Sequence, residues 1–327
     1  MTTNPLISVI MGVNRDDGSL SNSIDSILGQ SFQDFEFLVL NDGNGADVLS
    51  VVETYTDPRL IHIPLEKMGL TRALNEGILK ARAPLIARQD AGDLSLPQRL
   101  SEQLEYFKTH PDLGLMGSAV IESTVDGDHL GDIIFPESSS EIKAHLPFQN
   151  PFCHGSVMFR TEVVKKAGLY REPFIKAQDY DLWLRLAEQT EMHNLPQILY
   201  NRIVDKDSIS IRTKKMQSEY AALARESAQA RSKGLPEPEL NLFSTPVSEK
   251  HISAAQRDGT YYLHCGRLLL TNRRRQEARS LFLRSISYWP FHFYAYIFLL
   301  ASFIPAALID GVELMWKRFQ KRWGIQV

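Results

Sequence analysis

The chain has 327 residues, 43% of them apolar, and a formal net charge of −3 at pH 7. That length can bury the core of one domain of roughly 200 to 250 residues with something smaller beside it. The charge excludes the basic excess needed to neutralise a nucleic-acid backbone. Only Cys153 and Cys265 occur, far apart and in no metal-type spacing, which argues against a disulfide framework or zinc site and suits a reducing compartment. The first residues, MTTNPLISVIM, lack a basic region and a long apolar stretch, so they predict a first strand and not a signal peptide.

LISVIM (Leu6 to Met11) is short, β-branched and nearly all apolar, the pattern of a strand covered on both faces. Leu20, Ile24, Ile27 and Leu28 then recur at helical intervals. FEFLVL (Phe35 to Leu40) predicts the next strand, ended by the turn-rich NDGNGAD, where Gly43 and Gly45 permit a sharp bend. LIHIP (Leu60 to Pro64) follows a helix-like segment, and Gly69 to Arg82 carries Leu70, Leu74, Ile78 and Leu79 on one helical face. PLIAR (Pro84 to Arg88) runs directly into QDAGDLSLPQRL. Strand and helix alternating in this order predict an α/β fold with a doubly wound, mostly parallel sheet.

In such a sheet ligands collect beyond the carboxyl ends of the strands, near the point where strand order reverses. Asp42 follows one strand; Asp90 and Asp93 follow another. Each acid has two readings, a ligand or a turn former that bonds its own backbone. Arg88 stands at a strand end in a mostly apolar run, which makes it a stronger binding candidate than Arg72 or Arg99, whose alternative is a solvated helix charge. Arg72 and Asn75 lie three apart and share one helix face. Asp179 heads an amphipathic helix whose Leu182, Trp183 and Leu186 face inward, and taken alone it reads as a carboxylate favoured by the helix dipole. Cys153 has no Cys-His-acid pattern to activate it as a nucleophile.

Five blocks stand in a fixed order between about Leu6 and Ser210: SVIMGVNRDDGSLSNSIDSILGQSFQDFEFLVLNDG, GLTRALNEGILKARAPLIARQDAGDLSLPQRLSEQLEYF, NPFCHGSVMFR, AQDYDLWLRLA and LPQILYNRIVDKDSISIR. Together they resemble the family 2 inverting glycosyltransferases, enzymes of the GT-A fold that use nucleotide-activated sugars. The resemblance implies Mg²⁺ or Mn²⁺ on the Asp90 loop to meet the charge of a departing diphosphate. The family commonly has Asp-x-Asp followed by another acid, and here Gly92 takes the third place. Asp93 would then take over as metal ligand, or Asp205, where relatives often show a histidine, with Asp207 as its neighbour.

Asp42 matches the second acid of the family's Asp-Asp-Gly-Ser turn and would accept a hydrogen bond from base or ribose; Asn41 and Asn44 replace the first acid and the serine. Arg15 stands where the family often has the asparagine of a Tyr-Asn pair, and could stack on the base or pair with phosphate. Arg72, Asn75 and Arg88 would border the nucleotide. Asp179 matches the catalytic acid, with Gln178 in place of the preceding glutamate, and would remove the acceptor hydroxyl's proton; Asp181 would be a surface or supporting residue. His154 would either orient acceptor hydroxyls or serve the core.

Residues 1–233 are expected to form the GT-A domain and 234–250, beginning in the proline-broken GLPEPELNLFST, a linker. Within 251–327, YYLHCGRLLLTNRRRQEARSLFLRSISYWP resembles one tetratricopeptide unit, with Gly266, Ala278, Phe282 and Pro290 at the small, aromatic and breaker positions, which predicts a helical hairpin. FHFYAYIFLLASFIPAALI (Phe291 to Ile309) approaches the length of a bilayer crossing, and Trp316, Lys317, Arg318, Lys321, Arg322 and Trp323 follow it. The favoured reading is an in-plane helix at an anionic membrane surface; a soluble helical core, a dimer contact or a true span are the alternatives.

The expected activity is transfer of a sugar from a nucleotide-diphosphate donor to a glycan or lipid-linked acceptor, at the cytosolic face of the cell membrane, in surface polysaccharide synthesis. The second reading is a GT-A module that has lost turnover and acts as a nucleotide-binding or assembly subunit, a reading that Asn41, Gly92 and Gln178 keep open. A nucleotidyltransferase ranks last, because GVNRDDGSL supplies no lysine for a phosphate loop.

Overall fold

In the computed structural model, which describes residues 4–206, 214–240 and 253–304, the apolar runs of the first hundred residues become the centre of a sheet. β1 (Ile7–Val13), β2 (Phe35–Asp42), β3 (Leu60–Leu65) and β4 (Leu85–Asp90) are mutually parallel, with Ile7 opposite both Phe35 and Leu85. β1, β2 and β4 are buried on both faces, so they show no polar alternation. Helices α1 (Leu20–Leu28), α2 (Ala46–Val52) and α3 (Leu70–Lys80) intervene. The chain steps outward from β1 to β2 to β3 and then returns to the other side of β1 with β4. Strand order therefore reverses between β1 and β4, where Gly12 lies opposite Asp90.

Beyond β4 the pairing turns antiparallel. β5 (Leu94–Ser95), α4 (Arg99–Thr109), β6 (Leu113–Thr124), β7 (His129–Ile133) and α5 (Ser139–His145) lead to a single 3-10 turn, His154–Ser156, and then to β8 (Met158–Arg160). α6 (Thr161–Lys166), α7 (Gln178–Leu186), β9 (Glu191–Val204) and α8 (Lys214–Ser232) follow. β8 is antiparallel to β4 and β6, β5 is antiparallel to β9, and the sheet runs β3-β2-β1-β4-β8-β6-β9-β5 with β7 on β6. One apolar core packs Ile24 and Ile27 of α1 and Leu104 and Phe107 of α4 against Val9, Met11 and Val39.

Contacts divide the chain into two units that are not consecutive in sequence. The first holds residues 1–121, 132–203 and 219–245; the second holds 122–131, 204–218 and 246–327. In the second, α9 (Ala254–Thr271), α10 (Arg275–Tyr288) and α11 (Phe293–Ala301) share a core with Leu130 and Val204. α9 and α10 form the hairpin: Ala278 and Phe282 are fully buried, and a Cβ on Gly266 would lie 2.6 Å from the Phe282 ring, so only glycine allows that approach. Glu237, within the expected linker, is ion-paired with Arg171 and Arg231. Residues 241–250 of that linker, Asp207, and the basic, aromatic run after Ile304 lie outside the described residues.

Of the apolar segment starting at Phe291, α11 is the described helix. It buries Ala295, and Phe293 and Leu300 within it and Phe291 and Phe303 flanking it are between 61% and 89% exposed. Among the described residues no helix is long and apolar enough to cross a membrane.

Candidate active site

The carboxyl end of β4 delivers Arg88 and Asp90 to one face, since alternate strand residues share a side. Arg88 Nη2 donates to Asp90 Oδ1 at 2.6 Å. The guanidinium is 1% exposed, and its Nε and Nη1 are buried without an acceptor. Asp90 remains 36% exposed at the rim. Burial raises its pKa, but the charges of Arg88, His154 and Arg202 and the bond to Arg88 outweigh that, so its carboxyl titrates below the usual range.

Gly92, at φ +96°, turns the chain so that Asp93 points back into the protein. Asp93 Oδ2 accepts from the Tyr200 hydroxyl at 2.9 Å and Oδ1 from the Ile203 amide at 2.8 Å. Burial and the neighbouring Asp90 charge push its pKa up to about 7. The Tyr200 hydroxyl also accepts from the Asp90 amide at 3.2 Å, so one buried side chain of β9 holds both ends of the acidic loop. The turn at Gly155 packs against that hydroxyl: a Cβ there would stand 2.0 Å from Tyr200 Oη and 3.0 Å from Asp90 Oδ2.

Arg99 is not a solvated helix charge; it is completely buried. It donates to the Arg88 carbonyl at 2.7 Å, the Val157 carbonyl at 3.0 Å and the Ser95 hydroxyl at 2.8 Å, and its guanidinium lies over the Tyr200 ring. Burial lowers its pKa to about 10. Its role is to tie α4 to the base of the loop.

A second group of side chains meets the first around His154. Asn75 on α3 clasps the backbone of Tyr170, donating to its carbonyl at 2.8 Å and accepting from its amide at 3.0 Å. That fixes the Tyr170 hydroxyl 2.9 Å from His154 Nε2. Burial lowers the His154 pKa, as does the Arg88 charge, while Asp179 and Asp90 oppose the shift. Burial raises the Tyr170 pKa, with the charges of Arg88, Asp179, Asp90 and Arg185 acting on it as well.

Asp179 sits in the first turn of α7. Asn150 Nδ2 donates to its Oδ2 at 2.7 Å, and among the described residues no hydrogen bond reaches Oδ1. The residue capping this helix, Ala177, is in the left-handed region at φ +51°, a strained conformation for a residue with a Cβ. Asp181, expected at the surface or in support, is fully buried and bonded to Arg171 and Arg185, while Arg185 donates on to the Leu169 carbonyl at 2.7 Å. It anchors α7 to the segment carrying Tyr170.

The other sequence candidates are placed as follows. Asp42 accepts from the Met68 amide at 2.6 Å and from the Gly69 amide at 3.0 Å, holding the loop before α3. Arg72 is more than half exposed and ion-paired with Glu172 at 2.7 Å. Arg15 is exposed after β1. Asp205 lies in the second unit, where its charge acts on the Tyr261 hydroxyl. Cys153 is buried, and burial raises its thiol pKa far above neutrality, so it is inert. Tyr200 and Arg202 were not singled out by sequence reasoning. Their signal is their spacing: two residues apart in a strand, they share a face.

The loop fits a divalent ion poorly. Gly92 has no side chain, both Asp93 oxygens are occupied, and Asp90 Oδ1 is paired with Arg88. Among the described residues no three His, Cys, Asp or Glu side chains are grouped to hold a metal.

A doubly wound sheet with an acidic loop at its switch point and antiparallel strands beyond it is the GT-A type of architecture. The chain belongs to glycosyl transferase family 2, whose description matches residues 8–168. It is 36% identical to the O-antigen biosynthesis glycosyltransferase WbnJ of Escherichia coli over 210 residues, 62% of this chain and 82% of that protein. It is 32% identical to the amylovoran biosynthesis glycosyltransferase AmsE of Erwinia amylovora over 198 residues, 59% and 74% of the two chains. Among solved structures it is similar to S. aureus TarS 1-349 in complex with UDP-GlcNAc, with a TM-score of 0.53 at 14% identity over 86% of this chain and 89% of that one. It is equally similar to the mannosyltransferase PcManGT from Pyrobaculum calidifontis in complex with GDP-Man and Mn²⁺, with a TM-score of 0.53 at 14% identity over 92% and 86%. At that identity the likeness is one of fold. The expected family and GT-A architecture hold, and the protein is a glycosyltransferase.

Proposed function

We propose that this enzyme transfers a sugar, with inversion, from a nucleotide-diphosphate donor to a glycan or lipid-linked acceptor in surface polysaccharide synthesis. The observations that carry the reading are Asp90 at the carboxyl end of β4, paired with Arg88 at 2.6 Å, and Asp179 in the first turn of α7, held by Asn150 at 2.7 Å, in a chain of glycosyl transferase family 2. The acceptor oxygen bonds to the anomeric carbon as the carbon's bond to the diphosphate oxygen breaks, and the electron pair leaves with the diphosphate. Asp179, held by Asn150 through one oxygen, takes the acceptor proton on Oδ1. His154 and Tyr170 orient the acceptor hydroxyl. Asp42, Arg15, Arg72 and Asn75 border the nucleotide, with Asp42 and Asn75 acting by holding the loops that face it. Donors of this class are bound by the similar TarS and PcManGT, and the names of WbnJ and AmsE support a polysaccharide product.

The test is a donor panel scored by nucleotide release, with the anomeric configuration of the product read by NMR. Asp179→Asn should lower kcat by about 10²–10⁴-fold while leaving nucleotide-diphosphate binding near wild type. Turnover within about twofold of wild type would remove Asp179 as the base. Membrane attachment belongs to the same reading. The exposed aromatic residues of α11 and the basic, tryptophan-bearing sequence after Ile304 support docking on an anionic lipid surface at the cytosolic face. Co-sedimentation with phosphatidylglycerol vesicles but not phosphatidylcholine vesicles is expected, and absence from both pellets would refute it.

A further inference from the structure

A diphosphate leaving a sugar carries negative charge that the site must meet. Mg²⁺ and Mn²⁺ take about six ligands, chiefly oxygens, and need carboxylates to hold them at a protein loop. The Asp90 loop offers one uncommitted carboxylate oxygen, Asp90 Oδ2, because Gly92 has no side chain and Asp93 is bonded at both oxygens by Tyr200 and Ile203. That remaining oxygen faces the Gly155 turn.

Positive charge is instead built into the protein. Arg88 uses Nη2 on Asp90, while among the described residues its Nε and Nη1 are buried with no acceptor. Idle buried donors of a guanidinium are costly, and native proteins keep few of them. Their persistence at a reaction site points to an acceptor that arrives with the substrate. A guanidinium fork matches two phosphate oxygens. Arg202 stands in β9 between Tyr200 and Ile203, which both bond Asp93, and adds a second cation whose charge acts on both Asp90 and Asp93.

We propose that this transferase stabilises the leaving diphosphate with the guanidinium of Arg88, assisted by Arg202, and binds its nucleotide sugar without a divalent cation. The inference rests on the glycosyl-transfer reading above. The arriving anion competes with Asp90 Oδ1 for Nη2, and the Arg88 side chain turns to bring a second, now covered, N–H to the other phosphate oxygen. In the reaction Arg88 N–H groups donate to the diphosphate oxygens as the bond to the anomeric carbon breaks; the proton removed from the acceptor goes to Asp179 and not to the arginine.

The experiment is calorimetric titration of the full-length protein with UDP, GDP and dTDP, first in EDTA and then with excess Mn²⁺. At least one diphosphate should bind in EDTA with a Kd that Mn²⁺ changes by less than about threefold. For that nucleotide, Arg88→Met should shrink the preference for diphosphate over the matching monophosphate by about tenfold, and Arg88→Lys should restore part of it. Thermal melts establish that each variant is folded, and the wild-type titration stands without them. Binding seen only with Mn²⁺ overturns the proposal and leaves the glycosyl-transfer reading intact. An unchanged preference in folded Arg88→Met removes Arg88 from the role. Failure of all three nucleotides to bind under both conditions overturns the proposal and the reading beneath it.

Discussion

Gly155→Ala tests how tightly the acidic loop is locked. The new methyl carbon would begin 2.0 Å from Tyr200 Oη, 2.5 Å from Tyr200 Cζ and 3.0 Å from Asp90 Oδ2. Carbon atoms rest about 3.5–4.0 Å from one another, so something must move by more than about 1 Å. Tyr200 has no room to give, being fully buried with its ring beneath the Arg99 guanidinium and its hydroxyl bonded to Asp93 and to the Asp90 amide. Overpacking of this kind costs about 1–3 kcal/mol. Loss of the Tyr200 bond to a carboxylate adds about 1.5–3 kcal/mol, for a total of roughly 2.5–6 kcal/mol. Urea denaturation supplies the number, and a double variant with Tyr200→Phe, which removes the nearest atom, should cost less than the sum of the two single changes. Diphosphate binding should weaken in parallel, because Asp90 moves. Stability within about 0.5 kcal/mol of wild type would refute the claim that glycine is required at this turn.

Two further outcomes follow from buried charges. Asp93 titrates at about 7 in the folded protein against an ordinary value of 3.8, so between those values the unfolded chain has released a proton that the folded chain keeps. Its contribution to stability therefore falls as pH rises through that window, by at most about 1.4 kcal/mol per pH unit, and is level above it. Asp93→Asn should flatten that slope in urea titrations at several pH values, and an identical slope in the variant would contradict the assignment. Asp181→Ala removes the buried carboxylate shared by Arg171 and Arg185, leaving Arg171 its pair with Glu237 and Arg185 only carbonyl acceptors, and should cost about 3 kcal/mol of unfolding free energy. A loss below about 1 kcal/mol would mean that the triad does not anchor α7.

The first half of the sheet was legible because β1, β2 and β4 are covered on both faces and so appear as continuous apolar runs. β6 and β9 have no such signature. Gly114, Gly117 and Ser118 interrupt one, and Asn194, Pro196 and Asn201 the other, and their pairing depends on partners distant in sequence. The same distance hid what Asp93 does: the Tyr200 hydroxyl is 107 positions away and the Ile203 amide 110. Local pattern shows that an acid stands in a loop; only the fold shows that its oxygens are already taken. Arg99 was hidden for a related reason. Its acceptors include the carbonyls of Arg88 and Val157, which no helical spacing brings into view.

The departures from the family pattern acquire reasons in the fold, and these bear on whether turnover is retained. Asn41 bonds Gly45 twice, donating to its carbonyl at 3.2 Å and accepting from its amide at 3.0 Å. An ionised acid could accept but not donate, so the amide closes this turn better than the acid it replaces. Gly92 occupies a positive φ that strains residues with a Cβ, and that turn is what sends Asp93 inward to Tyr200. A module drifting free of selection for chemistry would be expected to shed its costly features first. Here the idle donors of Arg88, the strained Ala177 before α7 and, among the described residues, the carboxylate oxygen of Asp179 without a partner are all present. Features that cost stability at the loop after β4 and at the head of α7 are accounted for by a ligand that uses them, which favours a working transferase over a degenerate one.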